Sequence, residues 1–206
     1  MSEYHKIETL FERDEKTFKV KPDVLKNRTY SLLKTWHWTE KIDGTNIRCI
    51  WQDGKLTFGG KTDNAQIHAD LIKWLYEHVT TDKLRAAFPE DVTSVVIYGE
   101  GYGAGIQKGG GDYSPIKKLI VFDVLVGTWW LSYENVSDVA QKLGLDVVPS
   151  FGEMPLENAA NFVRHGFKSK VGNGNKDAEG LVGRPLETLF DKKGHRLITK
   201  IKTKDF

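Results

Sequence analysis

The chemistry in this sequence starts from an amine. In Glu40-Lys41-Ile42-Asp43-Gly44-Thr45-Asn46, a lysine closes an alternating apolar run led by Trp36 and Trp38. Asp43-Gly44 then turns the chain into a second strand that runs from Asn46 to Trp51. A lysine at a strand end projects from a fixed scaffold into the space above the sheet, which is the placement a nucleophilic amine needs. An exposed hairpin turn would read the same way, so the stretch gains meaning only from its company. Glu100 follows a β-branched strand, Asp123 lies inside an apolar one, and Glu179 stands immediately before Gly180-Leu181-Val182. Lys200 and Lys202 are two apart on the last strand and therefore share a face. Charges at such places are costly unless paired, so acids and bases recurring at strand ends point to one another or to a ligand.

Other chemistries find less support. Gly99-Glu-Gly-Tyr-Gly-Ala-Gly is rich in glycine but lacks Gly-Lys-Ser/Thr and is not followed by a helix pattern, so a mobile loop is expected rather than a phosphate cradle. His5, His37, His68, His78, His165 and His195 include no pair at metal-ligand spacing. No Gly-x-Ser-x-Gly elbow occurs. Cys49 is the only cysteine, which excludes an internal disulfide or a multi-cysteine zinc site and fits a reducing compartment.

The elements that must position these residues read as strands with hairpin turns, interrupted by helices. Strands are expected at 36–41, 46–51, 55–58, 92–98, 118–126, 179–184 and 195–204, with a short return at Trp129-Trp130-Leu131. Asp53-Gly54 and Lys193-Gly194 are turn signals. Helical spacing appears at 66–79, 83–88, 133–143 and 156–165. Pro22-Asp23 looks like a helix start, predicting a helix over 23–34 with Val24, Leu25 and Leu32 inward. Ile7, Leu10 and Phe11 would dock as a strand or lid. The fold class is α+β with mainly antiparallel sheets.

At 206 residues, 39% hydrophobic and 28% charged, the chain can bury a sizeable core. A net charge of +2 announces no polyanion partner, so any nucleic-acid surface must come from local clustering. No apolar run approaches the ~20 residues of a membrane span. The N-terminal Met1-Ser2-Glu3-Tyr4-His5-Lys6 lacks a signal-peptide core. A cytoplasmic protein is expected.

The order of the motifs carries further. Lys41-Ile-Asp43-Gly44-Thr-Asn46, then Tyr98-Gly99-Glu100, Val121-Phe122-Asp123-Val124, Glu179-Gly180-Leu181-Val182 and Lys200-Ile-Lys202 together resemble the covalent nucleotidyltransferases. Those are RNA ligases, DNA ligases and mRNA capping enzymes, and the nearest likeness is to small ATP-dependent RNA ligases of phage type, which act in RNA repair. The resemblance implies a nucleotidyltransferase fold around an ATP cleft. It implies that Lys41 attacks the α-phosphate of ATP to give lysyl-AMP. AMP then passes to an RNA 5′-phosphate, and a 3′-hydroxyl completes the joint. Lys41 must react unprotonated, whereas a free lysine titrates near 10.4. A second ammonium at ~6 Å, at an effective dielectric of ~20, costs roughly 2.8 kcal/mol, or about two pKa units, so Lys200 and Lys202 are expected to depress Lys41. They would also hold the α-phosphate.

By the same resemblance Glu100 holds the ribose hydroxyls, Phe122 stacks on adenine, and Glu179 organises Mg²⁺ or Mn²⁺. Asn46 acts near the phosphates, the backbone at Glu40 and Ile42 lines the adenine pocket, and Asp43 ties the turn. Lys61 stands where these ligases usually carry an arginine, losing the bidentate fork. Arg48 is a substitute, although its strand position is expected to turn it outward or along the groove. The chain ends at Phe206, with no OB or helical domain after Lys202. The expectation is one nucleotidyltransferase domain over 1–206, acting on RNA ends as a monomer or with a protein partner in place of the further domain. A DNA ligase, a capping-type transferase and a non-catalytic RNA-end-binding module are the alternatives.

Overall fold

A computed structural model describes residues 3–206; Met1 and Ser2, the start of the segment read above as lacking a signal peptide, lie outside the described residues. In chain order the strands are β1 (Glu8–Thr9), β2 (Phe11–Arg13), β3 (Val20–Leu25), β4 (Trp36–Lys41), β5 (Thr45–Gln52), β6 (Lys55–Gly59) and β7 (Ser94–Tyr102). They continue with β8 (Lys118–Val126), β9 (Trp129–Trp130), β10 (Asp146–Val147), β11 (Ser150–Met154), β12 (Gly180–Pro185) and β13 (Thr199–Lys202). The helices are α1 (Ala69–His78), α2 (Thr81–Ala87), α3 (Tyr133–Leu143) and α4 (Leu156–Arg164). The chain forms two compact units: Asp43–Val148 together with Tyr4, and His5–Ile42 together with Pro149–Phe206.

In the Asp43–Val148 unit the sheet order is β10-β8-β7-β5-β6, with β9 also on β8, and only β10 runs parallel to its neighbour. Alternation along β5 sends Ile47, Cys49 and Trp51 into a core with Leu71 and Leu75 of α1 and Val136, Ala140 and Leu143 of α3. Local signals fix α3: Ser132 caps its first turn, and Gly144, at φ 70°, ends it.

In the other unit the order is β1-β13-β12-β4-β11, antiparallel except for β1 with β13. Trp36 and Trp38 of β4, Leu181 of β12 and Ile201 of β13 pack with Ala159, Ala160 and Val163 of α4. Lys41 is on the opposite face of β4 from Trp36 and Trp38, so the core of this sheet sets the direction of the amine.

The helix predicted over 23–34 is not formed. β3 occupies its first part, pairing Leu25 with Phe11 and Val20 with Arg13 of β2. A 3₁₀ turn, Arg28–Leu32, follows, with the Asn27 side chain accepting from Thr29 N at 3.0 Å. Hairpin pairing with the preceding strand overrode the local pattern, and Val24 and Leu32 are exposed rather than inward. β7 runs on through Gly99 and Gly101, so the glycine-rich loop begins later than expected, and β13 is shorter than the strand read from 195.

Gly183 of β12 faces the fully buried Trp38, and a Cβ there would stand 2.6 Å from the indole ring. Because Trp38 has nowhere to move, Gly183→Ala should destabilise the protein by about 1–3 kcal/mol. A fall in thermal midpoint reads this directly; an unchanged midpoint would show that the β4–β12 contact can yield.

Candidate functional site

Three neighbouring strands build the chemical centre of the unit formed by His5–Ile42 and Pro149–Phe206. Lys41 of β4 and Lys202 of β13 both sit opposite Gly180 of β12, one on each side of it. Glu179 precedes that glycine. Its Oε2 accepts from Lys41 Nζ at 2.6 Å and its Oε1 from Lys202 Nζ at 2.8 Å. One carboxylate thus holds two ammonium groups in a row across the sheet. Burial disfavours the charge on Glu179, but the two lysines outweigh it and its pKa falls below the ordinary value.

Gly180 makes this possible. Its φ of 151° is a region that side-chain-bearing residues rarely adopt, and a Cβ would overlap the Ile201 carbonyl oxygen. A bare glycine lets β13 approach and leaves the space between Lys41 and Lys202 open to the Glu179 side chain.

Lys200 lies opposite Val182 and next to Thr9 of β1. Among the described residues no carboxylate pairs with its Nζ. Burial, then the charges of Lys202 and Lys41, push its pKa down to about 8, against a weaker pull upward from Glu179 and Glu8. Lys200 thus carries a lowered pKa, and Lys41 is bonded to Glu179, the carboxylate that the sequence reading expected near it.

Glu40 points the other way. It is 2% exposed, and its carboxylate accepts from Ser169 Oγ and, at 2.9 Å, from Lys170 N. Burial raises its pKa despite these bonds. Its backbone N–H donates to Pro149 O at 2.9 Å, and Ile42 is buried. Ser169, which anchors the 168–171 segment through Glu40, had no signal in the sequence.

In the Asp43–Val148 unit, Asn46 of β5 sits directly opposite Glu100 of β7. Both lie on the sheet face turned away from the helices. Asn46 Oδ1 is buried with no hydrogen-bond partner among the described residues. Phe122 is the extra residue where the β7–β8 register shifts, with Asp123 opposite Tyr98 and Val121 opposite Gly99. That bulge puts Phe122 on the same side as its neighbour. Tyr4, which sequence reasoning missed, packs edge-on to Phe122 at 5.0 Å and donates to Asp123 Oδ2 at 2.7 Å. Asp43 N donates to Tyr113 Oη at 3.3 Å, and a Cβ on Gly44 would overlap the Gly101 carbonyl, so the turn after Lys41 is closely fitted.

Arg48 does not turn outward. It is 1% exposed, donates through Nε to Gly60 O and through Nη2 to Asp63 Oδ1, each at 2.8 Å, and so braces the 59–64 loop. Lys61 is exposed on that loop. The strand that carries Arg48 was readable; its burial and the loop acid that holds it were not.

A variant of the Naegleria gruberi RNA ligase with ATP and Mn matches with a TM-score of 0.65 at 17% identity, over 98% of this chain and 62% of that one. The same ligase with PPi gives 0.66 at 16% identity, over 98% and 60%, and a variant with AMP and Mn gives 0.68 at 17%, over 96% and 59%. The chain thus has the nucleotidyltransferase fold of RNA ligases and spans about three fifths of the length of these structures. The sequence model of the RNA ligase family matches residues 34–202, and the chain belongs to that family. No curated protein matches it. Among the described residues no helix is long and apolar enough to cross a membrane.

Lys200 gives a pH signature. Between about 8 and 10.5 the unfolded chain keeps a proton that the folded chain has lost, so folding gains stability as pH rises through that window. Lys200→Met should remove this gain, measured as the difference between denaturation midpoints of variant and wild type from pH 7 to 10. Parallel pH curves for the two proteins would contradict the burial of this amine.

Proposed function

We propose that this protein is an ATP-dependent RNA ligase that works through a lysyl-AMP intermediate on Lys41 and joins RNA 5′-phosphate and 3′-hydroxyl ends. The observation that carries the reading is the Lys41–Glu179–Lys202 row with Lys200 beside it, in a chain of the RNA ligase family. A nucleophile, a carboxylate and two further cations meet on one sheet face, which a purely binding module would not require.

Lys41 Nζ first releases its ammonium proton to solvent; the freed lone pair forms the N–P bond to the α-phosphorus of ATP as the bond to pyrophosphate breaks, and a second proton passes from Nζ to solvent to leave the neutral phosphoramidate. Lys200 and Lys202 offset the charge that develops on the phosphoryl oxygens. Lys202 is held in place through Glu179. The RNA 5′-phosphate then displaces Lys41 from AMP, and an RNA 3′-hydroxyl displaces AMP to form the phosphodiester. In the Asp43–Val148 unit we assign Glu100 to the ribose, Phe122 to adenine, and Asn46, with its unsatisfied oxygen, to the phosphates. Lys61 is assigned to nucleotide or RNA-end recognition.

Among the described residues no cluster of three metal-ligating side chains exists. Glu179 alone suits a divalent cation carried on phosphate oxygens, which needs only one or two protein carboxylates. Such a cation, Mg²⁺ or Mn²⁺, would neutralise phosphate charge when bound. Because Glu179 accepts from both lysines, it can serve as an oxygen ligand only with those bonds loosened.

Incubation with α-labelled ATP and Mg²⁺ should leave one denaturation-resistant label per chain, seen as AMP added to the intact mass. Lys41→Ala should abolish it, and Glu179→Gln should lower it by more than about tenfold. Equal labelling of Lys41→Ala would end the proposal. Preference for GTP would favour the capping reading, and sealing of nicked DNA over RNA would favour a DNA ligase.

A further inference from the structure

The hairpin β2–β3 lies outside the residues matched by the family model and has no part in the centre described above. Its tip carries an anomaly. Phe18 is 71% exposed and sits at φ 57°. A bulky residue in the left-handed region is strained, and an exposed aromatic gains nothing from burial in return. The turn nevertheless holds it firmly. Phe18 N donates to Asp14 O at 2.9 Å, and Asp14 N donates to Lys19 O at 2.8 Å. Asp14 Oδ1 accepts from Lys16 N, Thr17 N and Thr17 Oγ at 3.1, 2.9 and 3.0 Å. Arg13 Nη1 donates to Phe18 O at 3.0 Å.

That arginine ties the hairpin to the catalytic strand. Its Nη2 pairs with Asp205, whose other oxygen accepts from Lys202 N at 3.1 Å. The aromatic tip is thus braced against the end of β13, which bears Lys200 and Lys202. Around the ring, Lys16 and Lys19 are exposed and have no carboxylate partner among the described residues, and Lys21 reaches only Asp14, at 3.9 Å.

We propose that Phe18 is a stacking platform for one unpaired base of single-stranded RNA, with Lys16 and Lys19 on the adjoining phosphates. This rests on the reading of the protein as an RNA ligase and names a further contact to its substrate. A rigidly presented aromatic beside unpaired cations is the arrangement that holds splayed-out bases. Glu12 and Glu15 interrupt the positive charge, so the contact covers one base and its neighbours rather than a long electrostatic track. Binding through this hairpin should therefore add only about one to the salt slope.

The test measures binding of a labelled single-stranded oligoribonucleotide by fluorescence anisotropy, with lysyl-AMP formation followed in parallel. Phe18→Ala and Phe18→Asn should weaken RNA binding by about fivefold or more, and Phe18→Tyr should retain it. Asparagine tolerates the left-handed backbone, so Phe18→Asn should keep or raise the thermal midpoint, which separates ring loss from unfolding. Lys16→Ala with Lys19→Ala should lower the salt slope by roughly one. Lysyl-AMP formation should be unchanged in every variant. RNA affinity independent of Phe18, with normal lysyl-AMP, would overturn the platform alone and leave the ring as a contact for a protein. No lysyl-AMP in wild type, with RNA binding that still needs Phe18, would overturn the adenylation chemistry alone.

Discussion

One carboxylate shared by two ammonium groups governs the sheet that bears Lys41. Glu179 binds Lys41 and Lys202 at once, and a side chain on residue 180 would collide with the backbone of Ile201 and Lys202 beside it. The row is a product of register: β4 and β13 flank β12 so that both lysines fall opposite the same glycine. A slip of one residue in either strand would send its lysine to the apolar face, among Trp36, Trp38 and Leu181. Packing of that face against α4 therefore enforces the placement of charge on the other. The core and the site are two sides of one register.

Charge balance within the row explains why three lysines can crowd together. Two positive charges and one negative leave an excess that an anion would neutralise, and the third amine, Lys200, is pushed to about 8 by burial and by the other two. The centre is thus short of negative charge, and the proposed phosphate would supply it. The electrostatic cost of assembling the site would then fall on the free protein and be returned on binding, which is how a preorganised anion site gains selectivity for a charged group.

The residues of this centre were legible in the sequence; their bonds were not. Spacing alone puts Lys200 and Lys202 on one face, and the motif order selects Lys41 and Glu179. The alternation led by Trp36 and Trp38 shows which way Lys41 must point. What a linear reading lacks is lateral register, and so it named Glu179 for a metal ion without seeing that its two oxygens bond Lys41 and Lys202. The same gap explains Arg48, whose loop partner Asp63 is set by a hairpin closure that local pattern does not encode. It explains the failed helix at 23–34 as well, where β2 captured the segment as a strand. Helix α3 shows the converse, since its cap, apolar stripe and terminal glycine are all local.

Strain is distributed in the same sense. Gly180 and Gly44 occupy positions where backbone crowding admits no Cβ, and both adjoin the proposed chemistry. Phe18 is different, because a glycine or asparagine would sit there with less strain, and a large apolar ring stands in solvent instead. Where crowding explains a backbone conformation, the residue is serving the fold. Where a bulky side chain is kept in an unfavourable conformation without crowding or burial, the explanation must lie in what the side chain meets. That contrast is what directs attention to the hairpin tip rather than to the glycines.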